Sequence, residues 1–162
     1  MAPTKPQEQD IDTFDHKILQ AVSADARITI TDLSALVGLS KTPCHARLKR
    51  LERDGYITGY TALIDPVKLG LDHIAFVEVK VTDTRAEALE EFNRAAAALP
   101  EIEQCHMIAG GFDYLLKVRT RNITAYRKFL GETLSGLPHI GQTSTYVSME
   151  AVKDTARLMQ GR

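Results

Sequence analysis

Apolar residues recur at two different spacings along the chain, and the change of spacing divides it. From Thr13 to Asp25 they fall at helical intervals, with Phe14, Ile18, Leu19 and Val22 on one face and Asp12 placed to cap the start. After a connector at Ala26 to Ile30, Leu33, Leu36 and Val37 form a second helical stripe ending at Gly38. Cys44, Leu48 and Leu51 form a third, so three short helices share one buried seam. Thr29 or Thr31 stands where a cap would open the second helix, and Ser40 where one would open the third, just ahead of Lys41 and Pro43. Beyond Asp54-Gly55 the run YITGYTALI reads as two β-rich pieces around Gly59, a short hairpin wing.

Asp65-Pro66 and Gly70 break the pattern and mark a linker. Past it, Ile74 to Val81 alternates as a strand, and Arg85 to Leu99 returns to helical spacing through Leu89, Phe92, Ala96 and Leu99. Ile102 to Ala109 and Phe112 to Arg119 are strands, Ile123 to Leu134 is a helix with Tyr126, Phe129 and Leu130 inward, and Ile140 to Met149 is the last strand. The order βαββαβ predicts a ferredoxin-like antiparallel sheet with two helices on one face and the other face free to meet a partner. The expected class is α+β. The expected domains are a flexible arm at 1–10, a winged helix-turn-helix at 11–64, a linker at 65–72, a ferredoxin-like domain at 73–155 and a tail at 156–162.

A hydrophobic content of 44% over 162 residues suits a folded core. The formal net charge is only −1, yet Lys41 to Arg53 holds five Lys or Arg against Glu52 alone, so any affinity for nucleic acid must be local. Cys44 and Cys105 lie far apart and in no CxxC pair, which fits free thiols in a reducing compartment. No apolar run reaches the roughly 18–20 residues of a membrane span, and the N-terminus lacks a signal-peptide core. A cytoplasmic, nucleoid-associated protein without membrane contact is expected.

Read as a helix-turn-helix, the third helix presents Lys41, His45, Arg47, Lys49, Arg50 and Arg53 away from the seam, donors long enough to reach phosphates or base edges in a major groove. Lys41, Thr42 and His45 at its N-terminus are placed near bases, with Arg47, Lys49 and Arg50 on phosphate or base; the plainer alternative is a solvated basic face. Ser40 and Pro43 shape the first turn, Cys44 packs as a small apolar group, and Thr31 offers a hydroxyl to phosphate or serves only as a cap. The pair Gly110-Gly111 supplies positive φ for a tight hairpin, or a loop whose backbone a ligand can approach. Cys105-His106 is one adjacent pair without a second cluster at ligand spacing, so no metal is expected. No nucleophile elbow, P-loop or dinucleotide fingerprint is present, so neither catalysis nor a cofactor is expected.

With LSKTPCHARLKRLERDGYITGYTALIDP, and later GGFDYLLKV and YRKFLGETLSGLP, the chain resembles the leucine-responsive (Lrp/AsnC, feast/famine) family of bacterial transcription regulators over roughly residues 11 to 155. SKTPC is similar to the branch that activates proline dehydrogenase, although Lys41 stands where the family usually has Pro directly after the serine. The resemblance implies a homo-oligomer, a dimer that builds to a tetramer or octamer, which binds double-stranded DNA and senses a small amino acid such as proline or leucine. It places the effector at Gly110, Gly111, Asp113 and Tyr114, with Met107 before the loop and Tyr146, Val147 and Ser148 on the last strand. Asp113 would pair with the α-ammonium or else cap a turn. Two other functions fit the same elements: a nucleoid-organising protein without ligand control, and an enzyme or regulatory subunit that uses the N-terminal helices only for docking. The basic helix face argues against the last.

Overall fold

A computed structural model of the chain describes residues 11–154. The expected arm at 1–10 and tail at 156–162 lie outside the described residues. The chain divides between Ala62 and Leu63 into two compact units.

The first unit holds α1 (Thr13–Ala24), α2 (Ile30–Val37) and α3 (Lys41–Arg53). Asp12 caps α1: its side chain accepts from the amides of Phe14 and Asp15, while the Asp15 carboxylate accepts from the amide of Asp12, a reciprocal capping box. Thr29, not Thr31, caps α2, its hydroxyl accepting from the Asp32 amide at 3.1 Å. Gly38 ends α2 at φ 78°, and it and Leu39 both donate to the Ser34 carbonyl; a side chain at this left-handed position would be strained. Ile18, Ala21, Val22, Leu33, Val37, Cys44 and Leu51 form the core, so Cys44 packs as an apolar group. Leu36 does not join the seam and is 66% exposed. The hairpin expected around Gly59 is not formed. Gly59 takes no positive φ, which a tight hairpin turn requires, and residues 58–64 pair with no strand. Ile57 instead packs on the helices, and the Tyr60 hydroxyl donates to Glu52 at 2.9 Å.

The second unit begins with a 3₁₀ turn at Val67–Leu69, then β1 (His73–Val81), α4 (Ala86–Ala97), β2 (Ile102–Met107), β3 (Tyr114–Thr120), α5 (Ile123–Glu132) and β4 (Ile140–Val147). The sheet is antiparallel in the order β2-β3-β1-β4, the ferredoxin-like arrangement. Ala75, Val77 and Val79 of β1 and Tyr114, Leu116 and Val118 of β3 pack against Phe92 and Ala96 of α4 and Tyr126 and Phe129 of α5. Phe92 and Tyr114 meet at 4.4 Å between ring centroids, and full burial of each such ring is worth about 2–3 kcal/mol. The alternating residues Phe76, Glu78 and Lys80 face away from the helices. Lys117 and Arg119 share that helix-free face but are buried among Glu103 and Asp154, so the face is partly covered by the chain that follows β4.

Candidate DNA-reading helix and effector loop

The cations of α3 fall into two groups. Arg47 and Arg50, one turn apart, both pair with Asp15 of α1, whose side chain is wholly buried; Arg47 reaches it at 3.0 Å and also bonds Asp12 at 2.7 Å. The Arg47 guanidinium lies 5.7 Å from the centre of the Phe14 ring. Burial alone would raise the Asp15 carboxyl, but the Asp12 amide and the two guanidiniums outweigh it and hold the group below the usual carboxylate range. Hydrogen bonds to Asp15 and Asp12 push Arg47 up in turn. The expectation that Arg47 and Arg50 face DNA is therefore corrected: a buried carboxylate draws them inward, and they fix α3 on α1. Lys49 is exposed but bonds Glu52 at 2.8 Å, and Arg53 bonds Asp54 at 2.9 Å.

The outward group is the first turn. Lys41, Thr42, Pro43 and His45 are exposed, and Ser40 caps by position with an unbonded side chain. Pro43 fits because the first amides of a helix have no partner inside it; the first helical bond runs from the Cys44 amide to the Ser40 carbonyl. Thr31, relieved of capping by Thr29, keeps an exposed hydroxyl without a hydrogen bond. Ser40, Lys41, Thr42 and His45 together offer hydroxyls, an ammonium, an imidazole and free backbone amides at the leading end of α3, which Arg47 and Arg50 tie to α1. The Asp15 clamp was missed from sequence. Its signal is the DxxD at the start of α1 matched by RxxR on α3.

In the second unit the loop between β2 and β3 is pinned to β1. The Asp113 carboxylate accepts from the Val81 amide at 2.8 Å, and the Asp113 amide donates to the Val79 carbonyl at 2.9 Å. Asp113 is thus a backbone staple, which corrects its assignment as partner of a ligand ammonium. Tyr114 is also corrected: its ring is buried against Phe92 on the helix side of the sheet. Neither Gly110 nor Gly111 takes the positive φ expected of them, and a Cβ on Gly111 would meet no atom within 4 Å. Gly111, with Phe112, instead borders a cavity of about 260 Å³ whose other walls are Glu78, Lys80, Gln142 and Ser144. Met107, Tyr146 and Val147 are exposed outside its lining; the Tyr146 hydroxyl donates to Glu78 at 3.3 Å, and the Ser148 amide donates to the Ile74 carbonyl. Glu78 and Lys80 were missed, although two opposite charges at alternate positions of IAFVEVKV mark the outward face of that strand. Cys105 and His106 point to opposite faces of β2, and no group of three metal-ligating side chains occurs among the described residues. No helix of the described residues is long and apolar enough to cross a membrane.

Residues 11–58 match the family described as winged helix-turn-helix DNA-binding, and residues 74–158 match the Lrp/AsnC ligand binding domain. The chain is 60% identical over 146 residues to the proline dehydrogenase transcriptional activator of Rhizobium radiobacter, covering 90% of this chain and 94% of that protein. It is 48% identical over 151 residues to the leucine-responsive regulatory protein of Escherichia coli, covering 93% and 92%. Among solved structures it superposes on a Neisseria meningitidis transcriptional regulator in complex with L-Met, with a TM-score of 0.85 and 32% identity, over 90% of this chain and 94% of that one.

Proposed function

The chain belongs to the Lrp/AsnC family of DNA-binding transcription regulators, and from that premise we propose that it controls an amino-acid catabolic gene in response to a free amino acid, with proline as the first candidate. The higher identity to a proline dehydrogenase activator than to a leucine-responsive regulator favours proline. The observation that carries the DNA half is the division of α3: Arg47 and Arg50 are spent on Asp15, while Ser40, Lys41, Thr42 and His45 stay free at the leading turn. In this reading the first turn enters the major groove, and Thr31 and Lys49 lie along the phosphates.

The effector would sit in the cavity beside Gly111, its α-ammonium on Glu78 and its carboxylate on Lys80 or the loop amides, with Phe112 against its side chain. A second copy docked on the helix-free sheet face would make a dimer whose two reading helices address two half-sites, and higher assembly would raise the effective concentration along DNA. An amino acid shifts this equilibrium only by its difference in affinity between the states, a tenfold change needing about 1.4 kcal/mol. Binding to a duplex taken upstream of an amino-acid catabolic gene, followed by fluorescence anisotropy with proline, leucine, lysine and asparagine, tests the reading. A shift selective for one amino acid supports it and names the effector. Absence of duplex binding refutes it.

A further inference from the structure

Behind its first turn, α3 carries a carboxylate on the same face as His45. His45, Lys49 and Glu52 stand at helical spacings of four and three residues and so line one side of the helix. The Glu52 Oε2 accepts from the Lys49 ammonium at 2.8 Å and its Oε1 from the Tyr60 hydroxyl at 2.9 Å, so two donors from two parts of the chain converge on one carboxylate. The bonds from Lys49 and Tyr60, with the nearby charge of His45 adding to them, hold the Glu52 carboxyl below its usual range, and the group is an anion at neutral pH. Taken alone, Lys49 and Glu52 would be an ordinary surface pair of small weight for stability. Tyr60 makes the arrangement different. Residues 58–64 pair with no strand, so no hairpin ladder puts the hydroxyl there. Both donors stay open to solvent, Lys49 with 62% of its side chain exposed and Tyr60 with 49% of the residue.

We propose that Lys49 and Tyr60 form a clamp for one phosphodiester of the DNA backbone, and that Glu52 occupies this clamp in the free protein as an internal substitute for the phosphate. The proposal rests on the placement of Lys49 along the phosphates, and adds to it a second donor from outside the helix and a built-in competitor. The chemistry matches: a carboxylate and a phosphodiester each present two oxygens that share one negative charge, and an ammonium with a hydroxyl satisfies either. The position matches as well, because a helix that sets its N-terminal residues on base edges carries its later turns past the backbone. A duplex takes the clamp by displacing Glu52, whose charge then opposes the incoming phosphate. Docking therefore exchanges one ion pair for another instead of adding one. That keeps a single winged helix a weak binder and leaves affinity to assembly on neighbouring half-sites.

The test measures binding of the full chain to two duplexes of equal length, the one upstream of an amino-acid catabolic gene and one of random sequence, by fluorescence anisotropy over a salt series. Tyr60→Phe keeps the ring and removes the donor; it should weaken both duplexes by the same factor, about three- to tenfold, since backbone contacts carry no sequence information. Glu52→Gln keeps an oxygen for Tyr60 and removes the competing charge; it should bind both duplexes about three- to tenfold tighter, with a steeper dependence on salt. The opposite signs are the signature, because a merely structural Tyr60–Glu52 bond would make both variants bind more weakly. Weaker or unchanged binding in Glu52→Gln overturns the substitute, and unchanged binding in Tyr60→Phe overturns the clamp. Lys49→Gln separates the premise: an unchanged salt slope removes Lys49 from the phosphates and the clamp with it, whereas a slope reduced by about one, with Tyr60→Phe equal to wild type, overturns the clamp alone.

Discussion

Replacing Asp15 by Asn keeps the shape of the side chain and removes the charge on which both α3 arginines converge. Breaking a buried pair by deleting one partner costs about 3–5 kcal/mol when the other charge is stranded. Here the Arg47 and Arg50 side chains are 30% and 29% exposed and can turn toward water. That reduces the expected loss to about 2–3 kcal/mol. In a unit this small, about 4–8 °C of melting temperature follows each kcal/mol, so its transition should fall by about 10–20 °C. The effect has a defined pH dependence. The folded-state carboxyl lies below its unfolded value of about 3.9, so the stability is fully present above that value and is lost as pH falls through the folded one. Thermal unfolding of wild type and variant should differ most near neutrality and converge in acid. Asp15→Asn combined with Arg50→Ala should destabilise by less than the sum of the single changes, a coupling of about 1–3 kcal/mol. A variant within about 0.5 kcal/mol of wild type at pH 7, the ordinary range for surface changes, would refute the clamp.

Substitutions at three further positions separate the roles assigned above. Lys41→Gln should leave the melting temperature unchanged and lower duplex affinity, reducing the slope of log K against log salt by about one; an unchanged slope would remove Lys41 from the phosphate or base contacts. Gly38→Ala, at φ 78°, should cost about 1–2 kcal/mol in urea unfolding of the N-terminal unit, whereas a neutral result would mean the turn relaxes out of the left-handed region. Asp113→Ala strands the Val81 amide and should destabilise the second unit by about 1–3 kcal/mol, while Asp113→Asn, which keeps an accepting oxygen, should recover most of that; equal losses in both would show that charge rather than the staple matters.

Much of the fold could be read from apolar spacing because most of the packing energy lies there. All six elements of the sheet unit are legible in this way, with no end shifted by more than two residues. Leu36 fits the periodicity of α2 but lies at the edge of its stripe, beside the buried Leu33 and Val37, and stays exposed. Periodicity is blind to charge pairing across long separations. Arg47 and Arg50 looked like outward cations because nothing within α3 answers them; their partner is 32 and 35 residues earlier. Asp113 looked free for the same reason, since its acceptor role depends on an amide 32 residues away. Lys117 and Arg119 alternate with the core positions of β3, and only the tertiary placement of Glu103 and Asp154 makes their burial tolerable. The wing at Tyr56–Ile64 was read from β-rich composition alone, and composition does not supply a pairing partner.

The most direct test of an effector-controlled DNA reader is operator affinity measured across a series of L-proline concentrations, for the wild type and Glu78→Gln side by side. A saturable shift of about tenfold is expected in the wild type and none in the variant. A wild type indifferent to proline would remove proline as the effector. An identical shift in both proteins would contradict the placement of the amino acid on Glu78.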